Sequence, residues 1–243
     1  MYSLTLTQPD DWHLHLRDGA LMASVVAATA HSFARAIIMP NLKPPITTCE
    51  QALAYRKRIC TALAPTSQFN PLMTLYLTDN TPVTEIAKAN TSEHIVAVKY
   101  YPAGATTHSD SGVTDWRRVW PVLEAMQSYE IPLLIHGEVT DSDIDVFDRE
   151  KIFIEQILAP LLENFPKLRV VLEHITTFDA VNYIISKDHH LAATITAHHL
   201  LMNRNQLFKD GIRPHHYCLP ILKRENIAKP CYKPQRAVTP SFF

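Results

Sequence analysis

Glycine is scarce in this chain, with 5 among 243 residues. None of the strand-like segments is followed by a Gly-rich phosphate loop, so a nucleotide-binding open sheet loses its usual sequence support. Cysteine is nearly as sparse: Cys49, Cys60, Cys218 and Cys231 are far apart and form no CxxC pair. They read as reduced thiols of a cytoplasmic protein, with a stray disulfide as the alternative. An excess of basic charge is lacking too, since 23 Lys+Arg balance 24 Asp+Glu, which argues against a nucleic-acid partner. No apolar run approaches the roughly 18–20 residues of a membrane span. The polar stretch Met1–Asp11 lacks an apolar secretory core. What remains is a globular composition, 47% apolar, and an excess of one residue type, 13 histidines.

The organising pattern is alternation. Strand-like segments are expected at Asp11–Leu16, Ala36–Asn41, Leu72–Thr78, Ile95–Tyr101, Pro132–Glu138, Leu168–Ile175 and Leu191–Ala197. Several, such as Ala36-Ile37-Ile38-Met39, are near-continuous apolar runs, as parallel strands covered on both faces should be. Helical segments lie between them. Thr47-Thr48-Cys49-Glu50 reads as a capping box before Gln51–Arg56. Asp143–Glu163 carries apolar residues at helical spacing, and Thr177–Ile185 reads as a shorter helix capped by Thr177. Val113–Tyr129 is helical, with Pro121 expected to kink or split it. Repeated βα units in a chain of this length predict an α/β fold of the TIM-type (β/α)8 barrel. The pattern assigns residues 1–222 to that barrel, with strands one to seven. From Lys223 the periodicity fails, and residues 223–243, Pro-rich and basic, read as an atypical, loosely packed or disordered tail.

In a βα barrel, chemistry sits where strands end. His13 and His15 lie two apart on the first strand and therefore share a face, about 6.5–7 Å apart, close enough to converge on one metal ion. His136 and His174 each end a later apolar run, so four imidazoles would meet at one rim. Lys99 lies within the apolar run Val96–Tyr101. A buried ammonium is costly, so Lys99 either snorkels or pairs with an acid, or stays neutral and reacts with carbon dioxide to form a carbamate that bridges two divalent ions. By strand alternation, Glu138 and Glu173 are expected on the opposite face from the neighbouring histidines. Asp11 and Asp18 are expected to orient backbone or Arg17. His31, His94 and His108 read as surface residues and His189-His190 as a turn. His198-His199 read as support for the site or as packing, and His215-His216 as structural.

Several segments together are similar to one family. Pro9-Asp10-Asp11-Trp12-His13-Leu14-His15-Leu16-Arg17-Asp18-Gly19, Met39-Pro40-Asn41-Leu42, Lys99-Tyr100-Tyr101-Pro102, His136-Gly137-Glu138-Val139-Thr140, Glu173-His174-Ile175-Thr176-Thr177 and Cys218-Leu219-Pro220-Ile221-Leu222-Lys223-Arg224 resemble motifs of the amidohydrolase superfamily. Within it they resemble the bacterial single-function dihydroorotases, in that family's order and approximate spacing, from about Gln8 to Arg224.

The resemblance implies a (β/α)8 barrel and two zinc ions. His13 and His15 would bind the more buried zinc, Lys99 as N6-carboxylysine would bridge both, and His136 and His174 would bind the second. Arg17 and Asn41 would hold a substrate carboxylate, Thr106 and Thr107 would belong to a mobile lid, and Leu219 would contact the substrate ring through its backbone. The implied reaction is reversible cyclisation of N-carbamoyl-L-aspartate to L-dihydroorotate in pyrimidine biosynthesis, by a cytoplasmic protein that forms a homodimer and engages no nucleic acid or membrane. The family's proton-transfer aspartate lies in a Gly-Thr-Asp-Ser-Ala-Pro-His-like motif on strand eight. No such motif occurs here, so no catalytic residue is assigned, and the pattern reads as incomplete, C-terminally truncated, with strand eight and its following helices missing. Two further readings follow: a catalytically impaired fragment or metal-binding scaffold, and a related cyclic amidohydrolase acting on neutral rings.

Overall fold

The computed structural model describes residues 3–187 and 190–225. Its strands are β1 (Asp10–Leu14), β2 (Arg35–Ile38), β3 (Asn70–Tyr76), β4 (Ile95–Tyr100), β5 (Leu133–His136), β6 (Val170–Glu173) and β7 (Leu191–Ala193). They form one sheet in the order β1-β2-β3-β4-β5-β6-β7, and every neighbouring pair is parallel. Sequential parallel pairing needs a crossover between strands. The crossovers carry helices α1 (Gly19–Ser32), α2 (Cys49–Thr61), α3 (Val83–Asn90), α4 (Trp120–Ser128), α5 (Arg149–Phe153), α6 (Ala159–Asn164) and α7 (Phe178–Ile185), and α8 (Ala197–Leu201) follows β7. The described residues thus supply seven strands of a TIM-type barrel. No described helix is long and apolar enough to cross a membrane.

Strands β2 to β6 are largely buried on both faces, which explains their continuous apolar runs, whereas β1 is half-buried. Outward residues, including Ile38, Leu75, Val98, Ile135 and Leu172, pack with the helices in one large cluster. Inward residues Ile37, Met39, Leu72, Ala97, Leu134, Val171 and Ala192 form a second cluster inside the curl. That inner layer sets the direction of everything above it. Two residues beyond Ala97, Leu134 and Val171, on the same inward face, stand Lys99, His136 and Glu173.

Three local expectations need correction. The capping box is one residue later than predicted: Thr48 accepts from the Gln51 amide at 3.2 Å, and Gln51 Oε1 accepts from the Thr48 amide at 3.3 Å. The Asp143–Glu163 helix begins only at Arg149. The Asp141 and Asp145 carboxylates accept from the amides of Asp143 and Phe147 at 2.9 and 2.8 Å, holding turns where a helix was expected. From Arg149 the helical run widens into a π segment at Ile154–Leu158, just before Pro160, which has no N–H for the carbonyl four residues back. Val113–Tyr129 is likewise shorter. A 3-10 turn at Trp116–Val119, capped by Asp115, leads into α4, and Pro121 occupies that helix's first turn, where it is tolerated. Thr177 caps α7 as predicted, accepting from the Ala180 amide at 3.1 Å.

Cys49, Cys60 and Cys218 are free thiols, whereas Cys231 lies outside the described residues, as do His189 and 226–243 of the predicted tail. The first residues of that tail are not loose. Lys223 is buried, and Arg224 lies over the Phe147 ring at 4.6 Å and near Asp145 and Asp148 at 3.7 and 3.9 Å.

Candidate metal centre

The C-terminal strand ends gather the predicted imidazoles in one row. Ring centroids are 4.9 Å apart for His13 and His15, 5.0 Å for His13 and His174, and 4.9 Å for His136 and His174. Lys99 rises from the inner face of β4 with its side chain fully buried, pairs closely with Glu173 and lies 4.9 Å from the centre of the Tyr101 ring. Its register is fixed by pairing with Tyr76 on β3 and Leu134 on β5.

Two of the imidazoles, His15 and His136, have one nitrogen hydrogen-bonded to an oxygen, and this decides which nitrogen stays free. His13 Nδ1 meets Glu173 Oε1 at 2.9 Å, His15 Nδ1 meets Asn41 Oδ1 at 2.8 Å, and His136 Nε2 meets Glu138 Oε2 at 2.9 Å. Carboxylate and amide oxygens only accept, so the His15 and His136 nitrogens donate and the opposite nitrogen of each keeps its lone pair, whereas His13 Nδ1 makes an ion-pair contact with Glu173. His13 Nε2 and His15 Nε2 then face each other at 3.0 Å. That separation is one a shared proton or cation between the two nitrogens would give. Two ligands of one tetrahedral zinc, each about 2.0–2.1 Å from the ion, would be about 3.3 Å apart. His13, Glu173 and His174 also bring one ligand atom each within 4.8 Å of one another. His174 Nδ1 is buried without a hydrogen-bond partner. These residues fit a divalent cation.

Electrostatics favour the same state. Burial, then the neighbouring cationic groups, pushes His174 well below its ordinary value. Burial also lowers His136, against the pull of Glu138. His15, although solvent-exposed at the rim, is pushed down to about 3 by loss of hydration, then by His13 and Arg17. Three imidazoles are therefore held neutral, as metal ligands must be. Burial lowers Lys99, with Glu173 opposing. Glu173 reaches about 2, because His13 and Lys99 overcome its own burial.

Two predicted orientations are overturned. Glu173 and Glu138 are not on the far face; both touch the site. Glu173 follows the inward residue Val171 by two, so it is the true inward end of β6. His174, one residue on, reaches the same rim because its backbone is left-handed, φ 44°, which breaks the alternation. Glu138 is two residues beyond His136, a spacing that itself signals a shared side. Asp11 orients backbone as expected, accepting from the His13 amide at 3.0 Å. Asp18 caps Gly19 at 2.9 Å and pairs with Arg58 at 2.7 Å, and not with Arg17.

Arg17 stands at the rim in a left-handed conformation, φ 62°, with its carbonyl accepting from the Tyr55 hydroxyl and a buried Nη1 that has no hydrogen-bond partner. Asn41 is buried, and its Nδ2 donates to the Thr107 carbonyl at 2.9 Å. Thr106 and Thr107 thus belong to a loop docked beside the histidines. His108, expected at the surface, holds the same loop, with Nδ1 3.2 Å from the Asn41 carbonyl. Leu219 precedes Pro220, whose carbonyl accepts from His199 Nε2 at 3.0 Å. His199 therefore supports the loop that carries Leu219, while His216 binds the Gln206 carbonyl at 2.9 Å and is structural. Glu138, Glu173 and Lys223 are the site neighbours that sequence reasoning missed. The spacing of Glu138 from His136 was an available signal; no local signal marked Lys223.

Residues 10–231 match the amidohydrolase family. The chain is 60% identical over 240 residues to dihydroorotase of Cupriavidus metallidurans, covering 99% of this chain and 70% of that protein. It is 62% identical over 223 residues to dihydroorotase of Leptothrix cholodnii, covering 92% and 64%. The crystal structure of dihydroorotase from Campylobacter jejuni superimposes with a TM-score of 0.86 at 38% identity, over 94% of this chain and 67% of that one. That of Saccharomyces cerevisiae dihydroorotase with 5-fluoroorotic acid gives 0.81 at 34%, over 91% and 64%. This chain thus spans about two thirds of the length of those relatives. An L-hydantoinase of Arthrobacter aurescens, at 15% identity and a TM-score of 0.72, shares the fold. On the family match and these identities, the chain belongs to the amidohydrolase family and, within it, to the dihydroorotases.

Proposed function

We propose that this chain carries the dihydroorotase reaction, the reversible cyclisation of N-carbamoyl-L-aspartate to L-dihydroorotate in pyrimidine biosynthesis. One observation supports it above the others: neutral imidazoles, a buried lysine and an arginine with an unpartnered Nη1 stand at one barrel rim. His13 and His15 would hold one zinc ion, His136 and His174 a second, and Lys99 as N6-carboxylysine would bridge them. Bound there, divalent zinc supplies Lewis acidity and a water ionised near neutral pH.

The chain's own groups do the rest. Arg17 receives the substrate carboxylate, a group that an Arg fork matches in charge and shape. Asn41 lies beside it and ties the Thr106–Thr107 loop to the rim, so that loop can exclude water over the ring. The Leu219 backbone faces the ring. In ring opening, water adds to the amide carbonyl carbon, the carbon–nitrogen bond breaks and the nitrogen takes a proton. No described residue is assigned that proton transfer. The yeast relative holds 5-fluoroorotic acid, a ring bearing a carboxylate, which favours an acidic ring over the neutral rings of a hydantoinase.

For Lys99 to form the carbamate it must leave Glu173, and its lowered proton affinity supports a reactive neutral amine. Metal analysis and a ring-opening assay on the purified chain test the proposal. About two zinc ions per chain, dihydroorotate turnover above a chelated control and slower turnover of neutral cyclic amides are expected. Zinc binding without turnover would replace it with the metal-binding scaffold reading.

A further inference from the structure

Lys223 is the second fully buried lysine of the described chain, and the metal site proposed above does not use it. It follows the loop after β7, with its carbonyl accepting from the Arg204 amide at 2.9 Å. Its Nζ lies 3.5 Å from Glu138 Oε1, and both side chains are almost wholly out of water. The other Glu138 oxygen accepts from His136 Nε2 at 2.9 Å. The nearby buried carboxylate of Glu150 is already satisfied by the amides and hydroxyls of Thr176 and Thr177. Lys223 is thus the buried cation that faces Glu138, and its charge also reaches Glu150.

We propose that Lys223 is a positioning residue: by neutralising Glu138 it keeps that carboxylate as the acceptor for His136 Nε2–H, which leaves His136 Nδ1 as the nitrogen offered to a metal ion. Without the Lys223 cation, the Glu138 carboxylate loses the contact that holds its second oxygen and with it the fixed orientation toward His136 Nε2. Separately, His199 ties Pro220, in the loop that carries Leu219, to Thr196. This inference rests on reading His136 as a metal ligand.

The test uses the full chain, labelled with nitrogen-15, metal-free and at neutral pH. Long-range proton–nitrogen correlation spectra report which His136 nitrogen carries the proton, and competition with a chelator reports zinc affinity. Wild type and Lys223→Arg are expected to show the Nε2–H form. Lys223→Met is expected to show mixed His136 tautomers and zinc binding about 10–100-fold weaker, the usual cost of losing a partner that orients a ligand. Should that variant fail to fold, the pair Glu138→Gln with Lys223→Met removes both charges and is expected to show the same mixed tautomers. A folded Lys223→Met, or the folded double variant, that keeps the wild-type His136 pattern and zinc affinity within about twofold overturns the proposal. Loss of the tautomer in a chain that never opens dihydroorotate would sink only the functional reading.

Discussion

Glu173 Oε1 stands 2.9 Å from His13 Nδ1, while the other oxygen of the same carboxylate pairs with Lys99. One side chain from β6 thus joins β1 to β4 across the inside of the sheet and aims His13 Nε2 at His15. Replacing Glu173 by Gln keeps the shape and removes the charge. Because it removes the carboxylate that contacts both His13 and Lys99, it should lower the stability of the metal-free chain and weaken zinc binding by about 10–100-fold. Chemical denaturation and zinc competition check the two effects separately.

Arg17 has a buried Nη1 with no hydrogen-bond partner. If it receives the substrate carboxylate, Arg17→Lys should lower kcat/KM by at least about tenfold, since an ammonium cannot reproduce the bidentate fork. Zinc content should not change. Steady-state kinetics alongside metal analysis decide the matter.

Gly112 closes the loop that carries Thr106 and Thr107. A Cβ there would lie 2.3 Å from the Tyr101 carbonyl oxygen and 2.9 Å from that of Ser109, both backbone atoms. Gly112→Ala must therefore displace the loop, at a cost of about 1–3 kcal/mol. A lowered melting temperature and a raised KM are the expected results.

His199 is buried between Thr196 and the Pro220 carbonyl and is held down to about 4, first by burial and then by His198. The folded chain keeps it neutral, whereas the unfolded chain protonates it near 6.5. Between those values the unfolded state binds more protons, so stability falls as pH drops from about 6.5 towards 4, by up to about 3 kcal/mol from this group. His199→Gln should flatten that part of the curve, measured as unfolding free energy against pH.

Thr48, and not Thr47, caps α2 through its bond from the Gln51 amide. Thr48→Ala should cost about 1 kcal/mol, with Thr47→Ala costing less. Paired urea unfolding curves distinguish them.

The apolar runs, their strand-like lengths and their alternation with helical stretches determined the βα order and the place of the seven strands, and with them the four strand-end imidazoles. The sequence also carried the resemblance that named the family. Three things became visible only in the structure, one of them local. The left-handed backbone at His174 brought it and Glu173 to one rim, against the period of two. Aspartate side chains turned the chain before α5, where apolar spacing predicted helix. Lys223, in a stretch whose composition reads as a tail, was placed in the interior opposite Glu138. Local pattern records which face is apolar; it does not record which distant charge will be buried beside which, since that is set by where the sheet's curl brings separate loops together.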